Sequence, residues 1–359
     1  MAKRTIPQDT RTSGEYGPKD WKKLRQKIMN DSSNVENWRE AFDLFFRYRI
    51  ESRFLKPVRV ISQSIASLKA GEGFTITAIL CILIEYLQAY YEGLVYTTGE
   101  SSLYEYHSSK DLFRRFLTSH EPFKDKFSQE DAKRFYDDVR CGVLHEGATK
   151  GNAKIRAEKG GLLIEKTGDG FIIYRNALLA ALESHIENYR AELLKSETLK
   201  TNFFRKVDEL NGISRELYFA YGSNLLKDQF EVERRMFVYT WRVAKLDDYQ
   251  ITFNKKSRSD PSVSFANLAK QKGQTTWGVL YEMDGEDLDR LTHEYEKGYD
   301  RRDVKVTVSK KMCQAVTFIS RSTCDAPPSR SYVEKILAGA IEKGLLSDYI
   351  EKVRSIANL

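Results

Sequence analysis

Leu217-Tyr218-Phe219-Ala220-Tyr221-Gly222-Ser223-Asn224-Leu225-Leu226 is the stretch on which the fold turns. Leu217 to Tyr221 is an apolar and aromatic run with the composition of a buried strand, and it stops at Gly222-Ser223-Asn224, which is tight-turn chemistry. Glycine lets the backbone approach a ligand closely. Successive N–H groups in such a turn form a concave anion site that needs no side-chain charge, and a carboxylate fits there. The same residues also read as a plain strand-to-helix connection, since Leu225-Leu226-Lys227-Asp228-Gln229-Phe230 suits the next helix.

Downstream, Met236–Phe253 contains two candidate strands around Leu246-Asp247-Asp248, and Ser262–Leu268 and Trp277–Met283 are a third and fourth. Asp284 suits an N-cap, with Asp287 at the distance of a capping-box partner. The helix 285–296 carries Leu288, Leu291 and Tyr295 on its inner face and ends near two carboxylates, Glu294 and Glu296. His293 reads as a helix-surface residue. Strands at 303–309 and 313–320 and a pair of helices from Ser329 complete the pattern. There is no βαβ repetition and no GxGxxG or GxxxxGK[ST], which argues against nucleotide-cofactor folds.

Upstream the periodicity is helical. Residues 1–18 are polar, with Pro7, Gly14 and Pro18, and read as a flexible segment. Trp21, Leu24 and Ile28, then Trp38, Phe42, Phe45 and Phe46, fall at helical spacing. Phe74–Val95 is apolar on more than one side, as the central helix of a bundle is. Glu85 interrupts it, either as a paired carboxylate or as a polar group facing a site. Leu103–Phe116 and Gln129–Leu144 follow as helices, the latter leading into Arg140 and His145. An arginine can hold a phosphate and a histidine can act as acid or base, so this pair suits phosphodiester cleavage. Five residues apart on a regular helix they diverge by about 140°, so they converge only if Gly142 or Gly147 distorts the helix. Lys154–Tyr174 reads as a β-hairpin and Asn176–Lys195 as a last helix, on which His185 packs or meets solvent. Polar, mixed residues 196–215 read as a linker.

Length favours two domains, and 359 residues with 41% hydrophobic and 12% aromatic content can fill two cores. The expected organisation is an α+β two-domain chain. Residues 1–18 are flexible, 19–200 form an all-α helical bundle with a small β-hairpin, 201–215 are a linker, and 216–359 form a mixed β-sheet or barrel with flanking helices. No apolar run reads as reaching membrane-spanning length, and Met1–Asp20 does not read as a signal peptide. Cys81, Cys141, Cys313 and Cys324 lack metal or Cys-x-x-Cys spacing, so reduced thiols, a cytoplasmic setting and no metal or cofactor are expected. The net charge of +7 is spread among acidic residues and permits nucleic-acid contact without demonstrating it.

Residues 217–359 resemble the γ-glutamylcyclotransferase family. The resemblance lies in Tyr218–Leu225, in Trp277-Gly278-Val279-Leu280-Tyr281-Glu282-Met283, in Tyr299 with Val304-Lys305-Val306, in Ala326-Pro327-Pro328-Ser329 with Tyr332, and in Gly339 and Gly344-Leu345. It implies a small γ-glutamyl substrate whose own α-amine attacks its γ-carbonyl, releasing 5-oxoproline and a free amine. Such a ring closure needs mainly positioning and one carboxylate to move the proton. By the same resemblance Tyr221, Gly222, Ser223 and Asn224 bind substrate oxygens through backbone N–H groups, Tyr332 closes the pocket, and a glutamate at the end of helix 285–296 is the acid/base. Here the sequence departs from the family. Counting from Trp277, the glutamate position falls on Tyr295, leaving Glu296 as the first candidate and Glu294 as the second.

The helical region with its Arg140-x4-His145 resembles the HEPN superfamily (higher eukaryote and prokaryote nucleotide-binding domains). That resemblance implies RNA as a partner, metal-independent endoribonuclease chemistry and a homodimer through the bundle. Cys141 stands where active members commonly carry a small polar residue. Three classes therefore stand: a cyclotransferase-like enzyme, an RNA-cleaving or RNA-binding toxin- or defence-like protein, and a two-domain binding protein. Release of 5-oxoproline distinguishes the first and RNA cleavage lost on His145→Ala the second.

Overall fold

The computed structural model describes residues 6–63, 71–99, 101 and 103–359. The chain divides into two compact units, Met1–Gly212 and Ile213–Leu359.

The aromatic periodicity of the first unit produces a helical bundle. Helix α1 (Pro18–Asn30) buries Trp21, Leu24 and Ile28. Helix α2 (35–63) is interrupted by π-turns at Asp43–Arg47 and Glu51–Leu55. Helix α3 (Glu72–Glu92) buries Ile76, Leu80, Leu83, Ile84, Leu87 and Tyr90, each contributing about 1.5–3 kcal/mol when removed from water. Its 21 residues are long and apolar enough to cross a membrane by length and composition alone, contrary to the sequence expectation. Thr75, Thr77 and Gln88 hide this from a search for unbroken apolar runs. In this unit the helix is largely packed against its neighbours, as the central helix of a bundle is.

Strands β1 (Val95–Tyr96) and β2 (Glu105–Tyr106) pair in parallel. The helix expected over 103–116 therefore starts later, as α4 (Lys110–Ser119), because Tyr104 takes a left-handed φ of 58° that no helix interior accepts. Helix α5 (129–146) contains a π-turn at Phe135–Arg140 and ends at Gly147, φ 64°. The hairpin is present as β4 (Ile164–Thr167) and β5 (Gly170–Tyr174), with β3 (Ala153–Arg156) added in parallel. Helices α6 (Arg175–Leu193) and α7 (Glu197–Leu210) close the unit.

Two boundary expectations are corrected. Residues 197–210 are not a linker: Ser196 caps α7, and Phe203, Phe204 and Val207 bury their side chains in the bundle. Of the segment 1–18, residues 1–5 lie outside the described residues, whereas Thr12 and Ser13 are buried. Thr12 Oγ1 donates to Asn211 Oδ1 at 2.6 Å and Ser13 Oγ to the Leu44 carbonyl at 2.6 Å, so this stretch is tied down rather than flexible.

The second unit is a closed five-stranded barrel in the order β10-β6-β8-β7-β9. Strand β6 (Arg215–Ala220) is the apolar run that precedes the glycine turn. The four candidate strands between 236 and 283 are two long ones, β7 (Val238–Lys256) and β8 (Ser264–Asp284). Asp247-Asp248 does not end a strand because a bulge absorbs it: the register shifts between Asp247 and Tyr249, and Asp248 takes φ 61°. Strands β9 (Asp300–Val308) and β10 (Lys311–Ile319) close the barrel, β10 pairing in parallel with β6 through Val316 and Tyr218. Closure leaves few unpaired edges.

Asp284 caps helix α8 (285–295) as expected, its side chain accepting from the Glu286 N–H at 2.7 Å. Asp287 does not complete a capping box; it accepts the Phe237 N–H at 2.6 Å. Helix α9 (Arg330–Glu342) packs on the glycine turn, and α10 (Ser347–Ile356) follows it. Gly339 permits that approach, since a Cβ there would meet the Leu226 backbone nitrogen at 2.4 Å.

Candidate active site

Strand β6 delivers Tyr218 and Tyr221 into the interior and stops at Gly222, after which Ser223–Leu225 form one 3-10 turn. Asn224 is buried in that turn and its amide is fully used. Nδ2 donates to the Tyr218 hydroxyl at 2.8 Å and to Glu296 Oε1 at 3.0 Å, while Oδ1 accepts from Arg234 Nη1 at 2.6 Å. Tyr281 donates to the Asn224 carbonyl at 3.0 Å. These bonds hold the turn from both sides.

Glu296 arrives from the end of α8. Leu291–Tyr295 form a π-turn there, closed by the Glu296 N–H on the Leu291 carbonyl at 2.9 Å. A π-turn bonds i to i+5 and so accommodates one residue more than a regular turn. Glu296 thus occupies the direction that an unbroken helix would give its predecessor, which accounts for a glutamate position that counts onto Tyr295. Tyr295 is not on the inner face; it is 39% exposed, with the Arg234 guanidinium 4.9 Å from its ring centre.

The Glu296 carboxylate is largely buried. Oε1 accepts from Asn224 and, at 3.0 Å, from Arg234 Nη1. Oε2 accepts no hydrogen bond among the described residues, which leaves one carboxylate oxygen free to act. Glu294 is exposed and joins none of these contacts. The geometry therefore separates the two candidates that spacing left open. His293 is exposed as expected.

Four tyrosines surround this carboxylate. Burial raises the pKa of Tyr218, Tyr221 and Tyr299 well above the ordinary phenol value, and the Glu296 charge adds to each. Burial likewise pushes Tyr332 up to about 12. All four stay protonated at neutral pH, so they donate or accept hydrogen bonds without exchanging protons. The Tyr221 hydroxyl donates to the Phe318 carbonyl at 2.5 Å and so ties this side chain to the barrel. Tyr332 accepts from the Ala266 N–H at 3.2 Å. A Cβ on Gly222 would lie 3.5 Å from the Ala266 Cβ and 3.6 Å from the Tyr332 hydroxyl, ordinary contact distances that place Tyr332 beside the turn. The Gly222 φ of −109° is ordinary.

Sequence reasoning missed Arg234, which carries no local signal. The following Arg235 takes a left-handed φ of 51° as the chain leaves the turn. In the first unit, Arg140 and His145 are not brought together in a cleft. Arg140 ion-pairs with Glu85, Nε to Oε1 at 2.7 Å, whereas His145 is exposed on the last turn of α5. That helix stays regular from Cys141 to Glu146, and Gly147 breaks it only beyond His145.

Residues 275–353 match the model of the AIG2-like family. The γ-glutamylcyclotransferase of Bos taurus is 32% identical over 147 residues, covering 39% of this chain and 78% of that protein. The Homo sapiens γ-glutamylcyclotransferase is 31% identical over the same length and coverage. A solved structure titled gamma-glutamyl cyclotransferase aligns at 30% identity and a TM-score of 0.35, covering 40% of this chain and 88% of that one. With identity at this level over more than two thirds of the bovine protein, the chain belongs, through its C-terminal part, to the γ-glutamylcyclotransferase family.

Proposed function

We propose that the second unit releases 5-oxoproline from a γ-glutamyl amine, with Glu296 as the acid/base. The observation that carries this reading is a buried carboxylate with one oxygen fixed by Asn224 and Arg234 and the other free, beside a glycine turn. The N–H groups of Ser223 and Asn224, at the start of the 3-10 turn, have no acceptor within that turn and suit the substrate's carboxylate and carbonyl oxygens. The α-ammonium group lies against Glu296 and transfers a proton to Oε2. The freed amine attacks the γ-carbonyl carbon, forming the C–N bond of the five-membered ring while the carbonyl π-pair moves to oxygen. Collapse breaks the bond to the leaving nitrogen, which takes the proton from Glu296 as general acid. The ring nitrogen gives up its second proton to Glu296, from which it passes to the released amine to leave as ammonium. Atoms balance with no water consumed. Positioning an amine already in the same molecule supplies most of the acceleration.

The test is 5-oxoproline release from a panel of γ-glutamyl dipeptides by the wild type, Glu296→Gln and Glu294→Gln. Loss in Glu296→Gln alone supports the assignment; no release by folded wild type from any member overturns it.

A further inference from the structure

Strand β7 carries Ile251, Phe253 and Lys255 in one alternating buried phase, so a lysine stands where the pattern calls for an apolar side chain. Lys255 is 6% exposed. Its Nζ lies 4.9 Å from the ring centre of Tyr299 and 5.1 Å from that of Phe265. Those rings belong to the wall of the site: Tyr299 donates to the Ala266 carbonyl at 2.7 Å, and Phe265 packs edge-on against Tyr332 at 5.0 Å. Among the described residues, no acceptor hydrogen-bonds to Nζ and no carboxylate ion-pairs with it. Burial lowers the Lys255 pKa, Arg258 lowers it further, and Glu296 opposes both, which places its charge within electrostatic reach of the acid/base.

An ammonium carried on a largely buried side chain, with no counter-ion among the described residues, is stabilised by an anion that completes it. Glu296 cannot, because Arg234 already neutralises it; the three groups together leave one positive charge in the cleft. Two aromatic faces offset part of the desolvation but supply no hydrogen-bond acceptor. We infer that Lys255 is an anion-recognising specificity residue of this site, its ammonium receiving a carboxylate of the substrate. The inference rests on the cyclotransferase reading. Two substrate groups share this chemistry: the α-carboxylate of the glutamyl moiety and a carboxylate on the departing amine.

The experiment measures 5-oxoproline release by the full chain and by Lys255→Met and Lys255→Arg, from a γ-glutamyl amino acid and from a γ-glutamyl alkylamide of similar size. A charge-assisted pair in a largely buried site predicts a KM about 10- to 100-fold higher in Lys255→Met, a smaller change in kcat, and partial rescue by Lys255→Arg. A rise for both substrates identifies the glutamyl α-carboxylate; a rise for the γ-glutamyl amino acid alone identifies the carboxylate of the leaving amine. An unchanged KM for both overturns the inference while the reaction stands. Calorimetric binding of the γ-glutamyl amino acid to Glu296→Gln, with and without Lys255→Met, separates the two ideas. Binding that depends on Lys255 without turnover by the wild type sinks the reaction and keeps the inference. Absence of binding sinks both. Lys255→Met removes an uncompensated charge, so thermal denaturation should show it folded and at least as stable as the wild type.

Discussion

Glu85 in the first unit and Glu296 in the second are both largely buried glutamates gripped by an arginine, and the two pairs are built to opposite ends. In the first unit Arg140 occupies both oxygens of Glu85, Nε on Oε1 at 2.7 Å and Nη2 on Oε2 at 3.3 Å, and rests 5.2 Å from the Tyr136 ring. Nothing in that carboxylate is left over. In the second unit Arg234 and Asn224 share a single oxygen of Glu296, and the other accepts no hydrogen bond among the described residues. A two-pronged pair is a structural fastening, whereas a one-pronged pair orients a group that still has chemistry to do.

The largest expected effect tests the open pair. Glu296→Gln keeps the size and loses the proton-carrying oxygen, so the rate of 5-oxoproline release should fall by about 10²- to 10⁴-fold in a steady-state assay. Glu294→Gln in the same assay should stay within about two-fold, because an exposed carboxylate off the network has no step to perform. An equal loss in both would erase the distinction between the two pairs.

The closed pair should answer in stability instead. Arg140→Ala strands the Glu85 carboxylate and should cost the first unit about 2–3 kcal/mol in denaturant unfolding, between exposed and fully buried pairs. Release of 5-oxoproline, assayed where the variant remains folded, should not change; a loss of activity would give Arg140 a role the geometry denies it. Gly339→Ala drives a Cβ into the Leu226 backbone and should cost about 1–3 kcal/mol while raising KM, since the displaced residues follow directly on the substrate turn.

The smallest effect concerns two buried histidines of the first unit. His120 and His185 meet edge-on with ring centres 4.9 Å apart, and burial lowers the pKa of both, that of His185 to about 3, with His120 adding to it. The unfolded chain binds these protons near pH 6.5 and the folded one does not. Stability is therefore full above about pH 6.5 and falls as pH drops from there toward 3, by at most about 1.4 kcal/mol per pH unit for each histidine. Melting temperature measured from pH 7 to 4 should decline, and His185→Phe should flatten the decline. An unchanged slope would mean that His185 is protonated in the fold.

Much of this was legible along the chain. An apolar run that stops at Gly-Ser-Asn can hardly be anything but strand and turn, and Leu288 and Leu291 face inward as their spacing requires. The strand count went wrong at Asp247-Asp248, where local composition argues for a turn and the ladder on either side outweighs it through a bulge. The helix boundary at 197 went wrong for a related reason: Lys200, Arg205, Lys206 and Asp208 read as solvated linker residues, yet all four are buried beside Phe203, Phe204 and Val207. Arg234 carried no local mark of importance, because its partners lie 10 and 62 residues away.

By itself the sequence determined the turn, its aromatic strand and the presence of acidic residues at the end of α8, since these depend on neighbours within a few positions. Only the tertiary structure decided which carboxylate faces the turn, that Arg140 pairs with Glu85, and that Lys255 has no counter-ion among the described residues. Those outcomes hinge on one extra residue in a π-turn and on charges meeting across strands and helices. Spacing in the sequence does not encode such meetings, because they are set by how whole elements pack.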